Sequence, residues 1–136
     1  MIEVVQTLDA VDRCVLASFH HRIVLHVRAN CPQVATNATL REVAHFFWRY
    51  ASMQAAPPVS ATVFQLPVSY FQIPLAGRRF IRRVHASGIP LHYWTINSVR
   101  QARWLLERGA GGIVTDRADL LAELFPPPPP LEKFMN

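Results

Sequence analysis

Short apolar runs alternate with longer amphipathic segments along most of the chain. Five runs have the length and composition of buried strands, namely "RCVLASF" (13–19), "QVATNA" (33–38), "SATVFQLP" (60–67), "PLHYWTIN" (90–97) and "AGGIVTD" (110–116). The segments between them carry apolar residues at helical spacing, as in "HRIVLHVRANCP" (21–32). Strands that alternate with helices are typical of βαβ units, so the pattern predicts an α/β fold with a parallel sheet.

The ends of the predicted helices carry recognisable signals. Thr39 and Glu42 have the spacing of a capping box at the start of a helix, and Gly88 and Gly109 stand where C-terminal caps are expected. The glycine cluster "GAGG" (109–112) follows a helix and precedes a strand. A phosphate-binding loop needs the opposite order, so we interpret this cluster as a helix end.

Composition bounds the class of protein. A chain of 136 residues with 51% hydrophobic residues can bury one ordinary core, which predicts a single domain. The net charge of +5 suits an anionic ligand. The arginine pairs at 78–79 and 82–83 can form the solvated face of one helix, so a basic nucleic-acid-binding module ranks last among the alternatives.

Cysteine usage and hydropathy suggest a location. Cys14 and Cys31 lack a CxxC spacing, which favours buried, reduced thiols over a disulfide framework or a zinc site. No apolar run reaches the roughly 20 residues that a membrane span needs, and the N-terminus does not read as a signal peptide. We therefore expect a cytoplasmic protein without a membrane span.

Polar and aromatic residues follow several predicted strands at their carboxyl ends, where parallel α/β folds collect their functional groups. Asn97 or Ser98 can cap the following helix, and so can Thr115 or Asp116. Trp94 can either fill the core or form an apolar wall for a ligand. The six histidines form no HxH or HExxH pair, which leaves them without a metal-site pattern.

The last third of the chain resembles the glycerophosphodiester phosphodiesterase family. Members show a helix ending in "AHxxG", a strand ending in "WTVN" and a segment "GVDGIITD"; the matching residues are 85–88, 94–97 and 109–116. Upstream, "VLASF" (15–19) and "VFQLP" (63–67) are similar to two further family strands. The chain departs from the family pattern at His20, where an acidic residue is usual, at Gly111, where Asp is usual, and at Ala118, where Pro is usual.

The resemblance implies a fold and a chemistry. The family is a TIM (β/α)8 barrel that hydrolyses glycerophosphodiesters to glycerol 3-phosphate and an alcohol with a divalent cation, Mg²⁺ or Ca²⁺. It also implies that Trp94 walls the substrate pocket and that Ser18 and Asn97 offer polar contacts near it. The family's His-Arg-Gly, Glu-x-Asp, His-Asp and Glu-x-Lys motifs do not occur in these 136 residues. We therefore expect no catalytic residue and no metal ligand in this chain.

These expectations combine into one hypothesis and two alternatives. A full barrel needs about 250 residues, so residues 1–125 are predicted to form the C-terminal half-barrel of a truncated or remnant enzyme that is inactive by itself. The first alternative is a non-enzymatic half-barrel that self-associates through open strand edges or pairs with a separate N-terminal half. The second is the nucleic-acid-binding module. Residues 126–136 form a proline-rich tail, either a plain terminus or a polyproline ligand for an SH3 or WW domain.

Overall fold

The computed structural model describes residues 1–51 and 61–125, with helices and strands alternating as the sequence predicts. The helices are α1 (Ile2–Thr7), α2 (His21–Asn30), α3 (Leu40–Ala51), α4 (Arg78–His85), α5 (Val99–Leu106) and α6 (Ala118–Leu121), and short 3₁₀ turns cover Val11–Arg13 and Ala122–Leu124. The strands are β1 (Val15–Leu16), β2 (Ala35–Thr36), β3 (Phe64–Leu66), β4 (Ser69–Tyr70), β5 (Ile73–Pro74), β6 (Leu91–Tyr93) and β7 (Gly112–Ile113). The proline-rich tail predicted for 126–136 lies outside the described residues.

Five of these strands run parallel in one succession. β1 pairs with β2, and β3 pairs with β6, which pairs with β7. An isolated parallel bridge between Asn37 and Val63 connects the two groups, and the Ala38 N–H donates to the Val63 carbonyl at 2.8 Å. The order along the sheet is therefore β1, β2, β3, β6, β7. The predicted α/β class and its five strands are confirmed, although each strand is only two or three residues long.

Two elements were not predicted. The first is α1, whose sequence carries no capping signal. The second is the antiparallel hairpin of β4 and β5, which is inserted between β3 and α4. Phe71 and Gln72 at its turn have φ values of +43° and +65°. Positive φ at both central residues matches the twist of paired strands, but the usual sequence signal for such a turn is Asn-Gly or Asp-Gly. The chain lacks that signal here.

The apolar core has two unequal parts. The large cluster lies under β3, β6 and β7 and also receives Phe46 from α3; its buried members are Ala38, Phe46, Ala61, Phe64, Leu66, Leu75, Ala76, Phe80, Ile81, Val84, Leu91, Tyr93, Ile96, Ala102, Leu105, Ala110 and Leu121. The small cluster lies beside β1 and α2 and contains Val5, Leu16, Val27, Cys31 and Val34. Both cysteines are free thiols as predicted, with Cys31 buried and Cys14 half-buried.

Most predicted helix ends are confirmed. The Thr39 N–H donates to Glu42 Oε2 at 2.8 Å and the Glu42 N–H donates to Thr39 Oγ1 at 3.4 Å, so both halves of the capping box are formed. Gly88 and Gly109 follow α4 and α5 with φ values of +74° and +100°, which glycine adopts without strain. Ser98 accepts the Gln101 N–H and caps α5.

The start of α6 differs from the prediction. Its N-cap position is Arg117, with no side-chain cap. Thr115 Oγ1 instead accepts the Arg117 N–H at 2.9 Å and forms a local turn. The N-cap position therefore lies two residues after Thr115.

Candidate functional site

A concave pocket of about 420 Å³ opens where four parallel strands end. Residues that follow β1, β2, β3 and β6 line it, together with one face of α3 and the hairpin of β4 and β5. This is the sheet edge at which ligands bind in parallel α/β folds, because the connecting loops gather there. No lining residue among those described carries a charge. Ser18, Asn37 and Gln65 are polar, and the aromatic residues Tyr70 and Trp94 carry one hydrogen-bonding group each.

Asn37 fixes the loop that follows β1. Its Oδ1 accepts the Ser18 N–H at 3.1 Å, and its Nδ2 donates to the carbonyls of Ser18 at 3.3 Å and Ala38 at 3.2 Å. The side chain is 8% exposed, so these bonds are largely shielded from water. Asn37 thereby holds Ser18 at the pocket. Asn37 was not predicted as a site residue, because it lies inside the predicted strand 33–38 and follows a strand only in the structure, where β2 ends at Thr36.

Trp94 forms one wall of the pocket. Its ring centroid lies 5.7 Å from that of Phe19, and the two rings meet edge to face. The backbone N–H of Trp94 donates to the Leu66 carbonyl at 3.2 Å, which fixes the residue against the end of β3. Of the two readings left open by the sequence, the structure therefore favours a pocket wall over core filler.

The hairpin and the residue after it supply another part of the pocket lining. These residues are Tyr70, Ile73 and Leu75. The Tyr93 hydroxyl donates to the Leu75 carbonyl at 2.7 Å and connects the end of the hairpin to β6. Burial raises the pKa of Tyr93, so the hydroxyl keeps its proton for this bond at any physiological pH.

Asn97 lies in a separate cluster and is not among the described residues that line the pocket. Its Oδ1 accepts both the Thr115 hydroxyl at 2.9 Å and the Asp116 N–H at 3.0 Å, and its Nδ2 donates to Asp116 Oδ2 at 3.3 Å. These bonds connect the ends of β6 and β7. The structure thus brings Ser18 and Trp94 together at one pocket and places Asn97 elsewhere, where its substrate contact stays a prediction.

A half-buried ion pair lies next to the pocket and is hydrogen-bonded to the backbone of the lining residue Asn37. Arg28 Nη1 lies 2.8 Å from Glu42 Oε1, and the two side chains are 17% and 18% exposed. Arg28 also donates to Thr36 Oγ1 at 2.9 Å and to the Asn37 carbonyl at 3.1 Å. Burial raises the pKa of Glu42, but hydrogen bonds from Arg28 and Thr39 outweigh it and leave the pKa below its ordinary value. Both carboxylate oxygens are engaged, so this group holds structure rather than offering a free acid.

The whole arrangement has known counterparts. Residues 1–120 match the family described as the Glycerophosphoryl diester phosphodiesterase family. The chain belongs to this family.

Individual relatives agree with the family match. The chain is 37% identical over 61 residues to the probable glycerophosphodiester phosphodiesterase 2 of Mycobacterium tuberculosis, an alignment that covers 45% of this chain and 23% of that protein. The crystal structure of a glycerophosphodiester phosphodiesterase from Parabacteroides distasonis superimposes with a TM-score of 0.62 at 12% identity, covering 90% of this chain and 47% of that one. An Oleispira antarctica phosphodiesterase, solved with the product sn-glycerol-3-phosphate, gives a TM-score of 0.58 at 15% identity, covering 88% and 47%.

The extent of these matches is itself informative. The chain spans about half the length of the solved relatives and about a quarter of the curated one. The parallel α/β arrangement of this phosphodiesterase-family chain therefore corresponds to part of a TIM barrel. None of the helices in 1–51 and 61–125 is long and apolar enough to cross a membrane.

The described residues do not fit the divalent cation that the family resemblance implies. Within 1–51 and 61–125, no group of three or more His, Cys, Asp or Glu side chains is placed to hold a metal ion. Asp116 stands at the carboxyl end of β7, but one of its oxygens already accepts a hydrogen bond from Asn97. Hard cations such as Mg²⁺ or Ca²⁺ need several oxygen ligands, which one carboxylate does not supply.

Proposed function

We propose that this chain supplies the alcohol-binding side of a glycerophosphodiester phosphodiesterase site and that hydrolysis needs acidic groups from outside these 136 residues. The observation that carries the proposal is an uncharged pocket at the carboxyl edge of the sheet, in a chain that belongs to this family. The sequence contains nine acidic residues, but they do not form the motifs that the family resemblance implies for cation binding and acid–base chemistry.

In this proposal each side chain has a limited part. Trp94 and Phe19 provide the apolar wall against which the alcohol part of a substrate packs. Ser18 and Gln65 present the polar atoms at that wall, while Asn37 holds Ser18 in position. None of these groups can act as a general acid or base near neutral pH, because their hydroxyl and amide groups do not titrate there.

An assay of the purified 136-residue chain tests the proposal. Glycerophosphocholine is incubated with the protein and Mg²⁺ or Ca²⁺, and release of glycerol 3-phosphate is measured against a no-protein blank. We expect no release above the blank. Turnover that persists through a second purification step and falls in Trp94→Ala, but not in Trp104→Ala at a site outside the pocket, would contradict the proposal.

A second candidate is a non-enzymatic half-barrel that assembles through its strand edges. Within the described residues, β1 pairs only with β2 and β7 pairs only with β6, so each presents an unpaired backbone edge. Open edges favour pairing with another chain, either a second copy or a separately encoded N-terminal half. Light scattering coupled to size-exclusion chromatography distinguishes this candidate: it requires an oligomer or a stable complex, and a concentration-independent monomer would count against it.

A further inference from the structure

We propose that the pocket takes a hydrocarbon chain, so that the alcohol part of the ligand is a long apolar group rather than a small polar head group. The inference rests on the proposed function, which places the phosphodiester next to this pocket. The lining and volume of the pocket then indicate which kind of alcohol group it holds.

The lining sets the chemistry of the ligand. Among the described lining residues, aliphatic side chains outnumber aromatic ones, and most of them come from α3, β3 and the hairpin segment, as Leu40, Val43, Leu66, Ile73 and Leu75 do. Among the polar side chains, Asn37 already uses its amide on backbone groups. A ligand that fills this space meets mostly hydrocarbon and few groups that can form hydrogen bonds, which is favourable for an apolar chain and costly for a polar group.

The volume agrees with a ligand rather than a packing gap. Protein interiors leave few voids larger than a water molecule, whereas ligand pockets measure about 300–1,000 Å³. The pocket volume of about 420 Å³ falls in the second class. Tyr70 and Ile73 remain 47% and 55% exposed at its rim, so apolar surface there is available to an incoming chain.

The same features argue against a quaternary ammonium head group. Such a cation is held by aromatic faces arranged around it, and a nearby carboxylate adds to the attraction. Each of the four described aromatic lining residues already contacts another ring: Trp94 meets Phe19, Phe47 stacks on Phe80, and Tyr70 meets Phe71. No described lining residue is acidic, which leaves a buried cation without a compensating charge.

Calorimetric titration of the 136-residue chain tests the inference with three probes below their micelle concentrations. Glycerophosphododecanol carries the chain as its alcohol part, glycerophosphocholine carries choline in that place, and dodecyl phosphate carries the chain without the glycerol. We expect both chain-bearing probes to bind and glycerophosphocholine to bind at least tenfold more weakly. Shortening the chain from twelve to eight carbons should weaken binding by roughly two- to fourfold per methylene.

Two pairs of matched variants locate the binding. Ile73→Asn changes a pocket residue and Phe71→Asn changes a neighbouring hairpin residue that is 83% exposed and does not line the pocket. Ala44→Trp fills the pocket from an exposed position on α3, whereas His45→Trp adds the same ring one residue away. We expect the first member of each pair to weaken chain binding at least fivefold and the second to leave it within about twofold.

The outcomes separate this inference from the proposed function. Glycerophosphocholine binding within twofold of glycerophosphododecanol, affinity that does not change with chain length, or no binding of either chain-bearing probe overturns the inference. Each of these results is compatible with the absence of hydrolysis that the proposed function predicts. Conversely, measured hydrolysis overturns the proposed function while the chain-length series still decides which group the pocket prefers.

Discussion

The large and small clusters are stabilised in different ways. The large cluster buries apolar side chains from β3, β6, α4 and α5, and several of them, including Val84, Leu91 and Leu105, are completely buried. The small cluster buries five residues. Next to it, the Arg28–Glu42 pair connects α2, β2 and α3 through charge-assisted hydrogen bonds. One side of the sheet therefore depends on apolar area and the other on a polar network.

This difference matters for the pocket, because its walls come from both sides. Ser18 and Phe19 belong to the side with the polar network, while Trp94 and Leu75 belong to the side with the large cluster. On the apolar side, burial lowers the pKa of His92 in β6, so stability there should fall as the pH drops below the ordinary histidine value of 6.5. On the polar side, stability depends on the ionised Glu42 and should be lost at lower pH, as the pH falls through its folded pKa.

The largest effect is expected from the same truncation made in both clusters. Leu91 is completely buried in β6, and Leu16 is 9% exposed in β1. Leu91→Ala should lower the free energy of unfolding by about 3–5 kcal/mol, and Leu16→Ala by about 1–3 kcal/mol, since the smaller cluster can collapse around the lost atoms. Urea denaturation measures both. If Leu91→Ala does not fold, Leu91→Val provides the comparison, and equal losses would mean that the clusters do not differ as described.

The second prediction concerns the polar network. Glu42→Gln removes the charge that pairs with half-buried Arg28 and should cost about 1–3 kcal/mol at pH 7, less than for a fully buried pair because water still reaches both groups.

The pH dependence of this cost has a definite sign. The folded pKa of Glu42 lies below its usual 4.5, so the extra stability is present above about pH 4.5 and is lost as the pH falls through the folded pKa. The gap between the native chain and Glu42→Gln should therefore shrink in acid. The gap to Leu91→Ala should not, and a pH-independent Glu42→Gln gap would show that the charge is unimportant.

A third variant tests the connection between the large cluster and the hairpin. Tyr93→Phe removes the hydroxyl that donates to the Leu75 carbonyl and leaves that carbonyl unpaired. We expect a loss of about 1–2 kcal/mol in thermal or urea denaturation, together with faster amide exchange in β4 and β5. Unchanged exchange in the hairpin would mean that this bond does not hold it.

The smallest effect is expected at the exposed cap of α5. Ser98→Ala should cost about 0.5–1 kcal/mol, because the Ser98 hydroxyl accepts a single, long bond of 3.4 Å from Gln101. Thr39→Ala is the matched substitution on the polar side, where the completely buried Thr39 hydroxyl also contacts His21 at 3.1 Å. It should cost more, about 1–2 kcal/mol, and the reverse order would contradict the difference in burial.

Local signals explain what could be predicted from the sequence. The capping box at Thr39 and Glu42 and the glycines after α4 and α5 act within a few residues, so their pattern is sufficient. The strands were found from short apolar runs, but their ends depend on pairing partners far along the chain, and the observed strands are shorter than the runs. The hairpin escaped prediction because its turn lacks the residues that usually mark positive φ.

The predicted site residues show the same difference between local signals and long-range contacts. Ser18 and Trp94 were predicted from the family resemblance, and each also follows a strand; the structure places both at one pocket. Asn97 met the same criterion, yet its amide is satisfied by Thr115 and Asp116 on the neighbouring strand. Whether a polar residue at a strand end faces a ligand or a neighbour depends on where that neighbour lies.

Residue pattern and composition were sufficient to predict the alternation of strands and helices, the family resemblance and the scarcity of acidic groups for a cation. Those properties are local or compositional, and periodicity and residue type report them directly. The folded chain was needed to show that α3 and the hairpin complete an uncharged pocket with Trp94. It was also needed to show that Asn37, rather than Asn97, holds a residue of that pocket in position. A pocket is formed by surfaces from segments that are distant in the sequence, and how closely those segments come together depends on the packing of the whole sheet.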